Sequence, residues 1–198
     1  MNERIQAVLE FWFGEPADGE ERPSGVSLWF AEDVGVDRIV EKRFGKWVEE
    51  ALAGKLDAWG ATPKGRLALI LLLDQFPRNI HRDTPRAFAG DNKALEICFD
   101  GLDEDMHRQL SPLERAFFIR PCMHAEDADA QLAGVEEYQE LVNEAPPELV
   151  KVCEEFLRHA ERKRDIVERF ERFPHRNNIL GRVSTQEESA FLQQSGSL

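Results

Sequence analysis

Apolar positions along this chain recur at helical spacing and nowhere at the strict alternation of a half-buried strand. Ile5, Val8, Leu9 and Trp12 share one face of a first helix, which Asn2 is placed to cap and Gly14 to end. Val40, Phe44, Trp47, Val48, Ala51 and Leu52 mark an amphipathic second helix closing at Gly54. Then the pattern changes. From Leu67 to Leu73 every position is apolar, so a helix there has no face for water and has to be enclosed by other helices. Thr62 suits the N-cap and Pro63 the first helical position, while Pro77 is expected to stop the segment at Phe76 by clashing with the preceding turn. A greasy rod over 63–76 is therefore the expected centre of the molecule.

Further along, Thr84-Pro85 reads as a helix start, and Asp91 as the cap of a helix through Ala94, Leu95 and Cys98 to Gly101. Ser111-Pro112-Leu113-Glu114 combines a capping box with proline at the first helical position, and Arg120-Pro121 reads as the end of that helix. Another helix is expected from Asp127 to Asn143, stopped by Pro146-Pro147, and the longest over 148–173, with Val152, Phe156, Ile166, Val167, Phe170 and Phe173 as its apolar positions. Ser184-Thr185-Gln186-Glu187-Glu188 offers overlapping capping boxes for a short last helix. Residues 14–27 read as an exposed loop and 193–198 as a frayed tail. The expectation is one all-α domain over 1–198, an antiparallel array of seven or eight helices around the buried rod.

Charge narrows the partners. A net charge of −13 argues against general affinity for nucleic acid or for an anionic membrane surface. No apolar run approaches the ~20 residues of a membrane span, and no signal-type segment opens the chain. Cys98, Cys122 and Cys153 are odd in number and never spaced CxxC, which points to reduced thiols and a cytoplasmic location. The acid is unevenly spread, however: Arg172, His175, Arg176 and Arg182 form a stretch with no carboxylate, and a second basic island runs from Lys64 to Lys93.

If consecutive helices alternate in direction, the segments just past the odd-numbered ones meet over one end of the rod. Those segments are Arg78-Asn79, Arg120 with His124-Ala125-Glu126-Asp127, and His175-Arg176-Asn177. Arginines and free helix N–H groups together suit an anion. The candidate ligand-binding side chains are thus Asp74, Gln75, Arg78, Asn79, Arg86, Arg120, Arg176, Asn177 and Arg182, with His124, Glu126, Asp127 and His175 as candidate acid–base groups. The alternative is a structural polar network: arginine and histidine near helix ends also satisfy orphan carbonyls, and Asp74, Glu126 and Asp127 can simply pair with them. His124, Glu126 and His175 do not have a recognised metal-ligand spacing, HExxH is absent, and no GxSxG, Walker or GxGxxG motif occurs, so neither a metal nor a cofactor is expected. Cys122 beside His124 is a poor nucleophile–base pair, since sequence neighbours seldom form one, and His107 and His159 read as solvated.

Val8-Leu9-Glu10-Phe11-Trp12-Phe13-Gly14, Asp74-Gln75-Phe76-Pro77-Arg78-Asn79, Thr84-Pro85-Arg86-Ala87-Phe88-Ala89, Met123-His124 with Glu126-Asp127, and Arg172-Phe173-Pro174-His175-Arg176-Asn177 together resemble the domain of unknown function 924 family. The resemblance covers nearly the whole chain and implies a tetratricopeptide-like superhelix; it implies no activity. The chain departs from that pattern at Ala125, where the resemblance implies serine, and at Lys163, where it implies histidine. Function is accordingly expected to be binding of a small anion or an acidic peptide on the basic face. The alternatives are an enzyme of hydrolase or transferase class acting on a small phosphorylated or carboxylated metabolite through His124 or His175, and an interaction protein without a small-molecule site. Oligomeric state is not readable.

Overall fold

Thr62 and Pro63 open the central helix as their chemistry requires. In the computed structural model, which describes residues 2–14, 25–30 and 33–195, the Thr62 hydroxyl accepts the Gly65 N–H at 3.2 Å and Pro63 occupies the first turn. Pro77 does not stop this rod. The α-helix Pro63–Ile70 passes into a π turn, Leu71–Gln75, and continues as a further α-helix, Phe76–Ile80. In the π turn the Phe76 N–H reaches back to the Leu71 carbonyl, five residues earlier. Widening by one residue lets the helix take in a proline ring that a regular turn would press against the Leu73 carbonyl. Gly90 lies against that same carbonyl so closely that a Cβ there would sit 2.2 Å from its oxygen.

The elements in chain order are α1 (Glu3–Phe13), α2 (Gly25–Phe30), α3 (Val34–Leu52), α4 (Pro63–Ile70), α5 (Phe76–Ile80), α6 (Asp91–Asp103), α7 (Pro112–His124), α8 (Ala128–Glu144), α9 (Val150–Phe170) and α10 (Gln186–Ser195). Short 3-10 turns lie at Asp57–Ala61, Pro85–Phe88, Met106–Gln109 and Pro174–Arg176. The fold is all-helical, with no strand among the described residues. The α4–π–α5 rod is packed by α1, α3, α6 and α7, and every side chain from Leu67 to Leu73 is buried. Phe11, Trp12, Phe44 and Phe117 crowd its flank, with Phe44 and Phe76 ring centres 4.9 Å apart. A smaller cluster, Ile166, Val167 and Phe173 with Phe170 and Phe191, fastens α10 to the end of α9.

Most start signals hold. Asn2 caps α1 through the Arg4 N–H, Ser111 and Glu114 complete their capping box, Asp127 caps α8 through the Ala130 N–H, and Thr185 with Glu188 forms the box that starts α10. The corrections concern stops and caps. Pro121 lies inside α7, which runs on to His124; the Tyr138 hydroxyl donates to the Ala116 carbonyl at 2.7 Å in the turn that this proline disturbs. Gly90, not Asp91, holds the N-cap position of α6, which leaves the Asp91 carboxylate available for other partners. Residues 25–27 of the expected loop are helical, and its residues 15–24 lie outside the described residues. Likewise α10 continues to Ser195, with 196–198 outside them. His107, expected to be solvated, is buried against Phe118, with Nε2 3.3 Å from Glu137. Among the described residues no helix is long and apolar enough to cross a membrane.

Candidate functional site

The π turn and the end of α7 converge at a buried acid–imidazole pair. Asp74, fully buried, lies within the π turn, and His124 is the last residue of α7; their Oδ1 and Nδ1 are 2.7 Å apart. A carboxylate can only accept, so Nδ1 carries the hydrogen and Nε2 keeps its lone pair. Burial alone would raise the Asp74 pKa, but Arg78 and His124 outweigh it and hold the carboxyl well below the usual range; Gln75 donates to its other oxygen. Burial and the nearby Arg78 push His124 down to about 3, so its imidazole is neutral.

Around this pair stands a ladder of cations and rings. Arg176 lies between the faces of Phe88 and Phe173, 4.5 and 4.7 Å from their centres. Arg78 covers Phe88 at 5.5 Å, and the Lys163 ammonium is 4.8 Å from the Phe173 ring centre. Asp91 joins the arginines, taking a two-pronged bond from Arg78 at 2.9 and 3.0 Å and a single bond from Arg176 at 3.2 Å. Arg176 also donates to the His124 carbonyl at 3.0 Å, which brings the guanidinium beside the acid–imidazole pair. Glu126 accepts from both arms of Arg182 and from the Phe173 N–H, fixing the loop after α9.

The cations Arg78, Arg120, Lys163, Arg176 and Arg182 stand against the carboxylates of Asp74, Asp91, Glu126 and Asp127, and of these cations Arg176 lines the cleft. Burial, reinforced by the neighbouring arginines, lowers Lys163 to about 7, and burial with repulsion from Arg78 lowers Arg176 to about 10. His175, half-buried beside Lys163 and Arg176, is pushed down to about 3, chiefly by burial. Beside the pair opens a cleft of about 490 Å³. Its polar end is lined by Asp91, His124, Glu126 and Arg176, its apolar walls by Pro85, Phe88, Leu95 and Leu180, and exposed Asp127 stands at the rim.

The expected meeting of distant motifs therefore occurs, but not every candidate takes part. Asp74, Gln75, Arg78, His124, Glu126, Arg176 and Arg182 come together, with Arg120 beneath them against Phe117 and Phe156, and His175 near Phe173 but off the cleft lining. Asn79 instead shares Asp37 with Arg82 on the far flank of α5. Arg86 is exposed and paired with Glu49; Asn177 donates to the Ser184 hydroxyl. Asp127 spends an oxygen on its cap. Four participants were not among the candidates: Asp91, expected to be a cap, Lys163, and the rings Phe88 and Phe173. For the two rings the signal was their place inside the Thr84–Ala89 and Arg172–Asn177 motifs; Asp91 lies outside both. Among the described residues no three His, Cys, Asp or Glu side chains converge as a metal-binding group.

The family model described as bacterial protein of unknown function (DUF924) matches residues 8–196. No curated protein matches the chain. A solved structure of a protein of unknown function from Agrobacterium tumefaciens, ATU0120, is 35% identical, with 96% of this chain and 97% of that one covered and a TM-score of 0.81.

Proposed function

Since the chain belongs to the DUF924 family of bacterial proteins of unknown function, the reading has to come from the cleft, and we propose that it binds a small anionic ligand. The observation that carries this is Arg176: buried, clasped between two rings, tied by one bond to Asp91 and one to the His124 carbonyl, and lining the cleft. A guanidinium so fixed loses little freedom when an anion arrives. The cluster of cations around it favours the same ligand, because an added negative charge relieves the repulsion that depresses Lys163 and Arg176. A cleft of about 490 Å³ fits a small molecule better than an extended acidic peptide.

Thermal shift with phosphate, sulfate and small dicarboxylates tests this. At an anion concentration of 100 times Kd, wild type gains about 2.7 kcal/mol, which is roughly 5–10 °C for a chain of this size. Arg176→Lys, which keeps the charge but loses the planar fork, should lose most of that gain. Arg86→Ala, altering an exposed arginine that pairs with Glu49, should keep it in full. No stabilisation by any of these anions sinks the reading.

A further inference from the structure

We propose that the same cleft hydrolyses small acyl esters, with His124 as the base that activates water, Asp74 as the residue that positions it, and Arg176 as the cation that receives the developing oxyanion. This rests on the anion-binding reading, since the oxyanion is the anion in question.

Geometry is the ground for it. Asp74, buried in a π turn and aimed at Nδ1, fixes both the tautomer and the plane of the His124 ring. His124 lines the cleft, its side chain is not fully enclosed, and the hydrogen bond its ring makes among the described residues is through Nδ1; on the proposal Nε2 is the atom that meets the cleft's occupant. Arg176 donates to the main-chain carbonyl of that same histidine at 3.0 Å and lines the same cleft, which holds the cation against the residue that carries the base. A structural polar network has no need of an imidazole and a clamped guanidinium lining one cavity. The lining contains no serine, threonine, cysteine, lysine or tyrosine, and Ala125 follows His124 directly. With no hydroxyl, thiol or amine side chain in the lining, and with the Asp91 and Glu126 carboxylates already bonded to arginines, the attacking atom we propose is that of water. Phe88, Leu95 and Leu180 supply an apolar wall for the acyl or alcohol portion of a small ester.

The chemistry closes without a further reactant. The water oxygen forms a bond to the acyl carbon as its proton passes to Nε2, and the carbonyl π pair moves onto oxygen beside Arg176. Collapse of this intermediate re-forms the carbonyl and breaks the bond to the alcohol oxygen. The leaving alkoxide takes the proton back from Nε2, giving acid, alcohol and a neutral histidine. The imidazole is neutral and so can accept the proton; burial disfavours the imidazolium that forms, and the Asp74 carboxylate bonded to Nδ1 is the group that offsets this.

The test uses the full chain with p-nitrophenyl acetate and butyrate. Wild type should turn these over at least about 100-fold faster than His124→Gln, whose amide can still donate to Asp74. Asp74→Asn should lower kcat far more than it changes KM and shift the acid limb of the pH profile, which a merely structural role would not do. Methylphosphonate, a mimic of the oxyanion, should compete with the ester in wild type. Diethyl pyrocarbonate offers a reading independent of substrate and variant: it should acylate His124 in wild type, and methylphosphonate should protect it. Equal turnover by wild type and His124→Gln, or a His124 unreactive to the reagent, overturns the proposal. If phosphate still stabilises the protein through Arg176 in that event, anion binding stands and only the hydrolytic reading falls.

Discussion

At the scale of single residues, Asp91 ties two arginines at the cleft together. It takes three hydrogen bonds from Arg78 and Arg176, so an anion bound as we propose would compete with it for the same guanidinium groups. Asp91→Asn keeps one acceptor and removes the charge. It should lower stability by ~2 kcal/mol, somewhat less than a fully broken buried pair, seen as a drop of several degrees in Tm. The same variant should bind sulfate more tightly by isothermal calorimetry, because a competing carboxylate is gone. Lower stability with weaker sulfate binding would mean that Asp91 organises the anion site rather than competing for it. Asp91 also shows where residue-level reading stopped. Its type and its place before an apolar stripe fit a helix cap, and a cap was expected; Gly90 holds that position because the backbone there presses on the Leu73 carbonyl. Nothing in the local sequence carries that contact.

At the scale of elements, the π turn is the feature on which the site depends. It carries the rod past Pro77, turns Asp74 toward His124 and brings Arg78 round to Asp91. Pro121 lies inside α7 without such a turn, in a helix that runs on to His124 and so completes the pair. In both helices the proline was read as a stop, since its local cost favours one. Packing on all sides outweighed that cost. Gly90→Ala tests how tightly the π turn is braced, for its Cβ would fall 2.2 Å from the Leu73 oxygen and 2.9 Å from the carbonyl carbon. Both are main-chain atoms, so the start of α6 or the π turn must move. We expect a loss of ~2 kcal/mol or more, with fluorescence and Tm reporting stability and the anion response reporting the site. A variant as stable as wild type would show that the contact is slack.

At the scale of the whole molecule, buried bases near one another make stability depend on pH. Lys163 falls from an ordinary 10.5 to about 7, so between those values the unfolded chain holds a proton that the folded one lacks, and stability decreases as pH falls through that window. His124 and His175 fall from 6.5 to about 3, which continues the decrease from pH 6.5 downward. Sulfate, by favouring the protonated forms, should therefore stabilise more at pH 6 than at pH 9, and calorimetric Tm across that range measures it. A sulfate effect independent of pH would remove these groups from the anion site. What the sequence determined by itself is what short-range physics controls: the helical period, the caps at Asn2, Thr62, Ser111, Asp127 and Thr185, and a rod so apolar that other helices had to surround it. That the segments of Arg78, His124 and Arg176 meet was expected from helices alternating in direction, but helix α2 and the 3-10 turn Pro85–Phe88 upset the count behind that expectation, so the meeting itself is a result of the tertiary packing. Only the tertiary structure decided the rest: that Asn79 and Arg86 turn away to Asp37 and Glu49, that Asp91 bridges two arginines, and that Phe88 and Phe173 hold Arg176 between them. Those outcomes depend on which partner stands within a few ångströms across segments up to 85 residues apart, and residue type and spacing along the chain do not specify that distance.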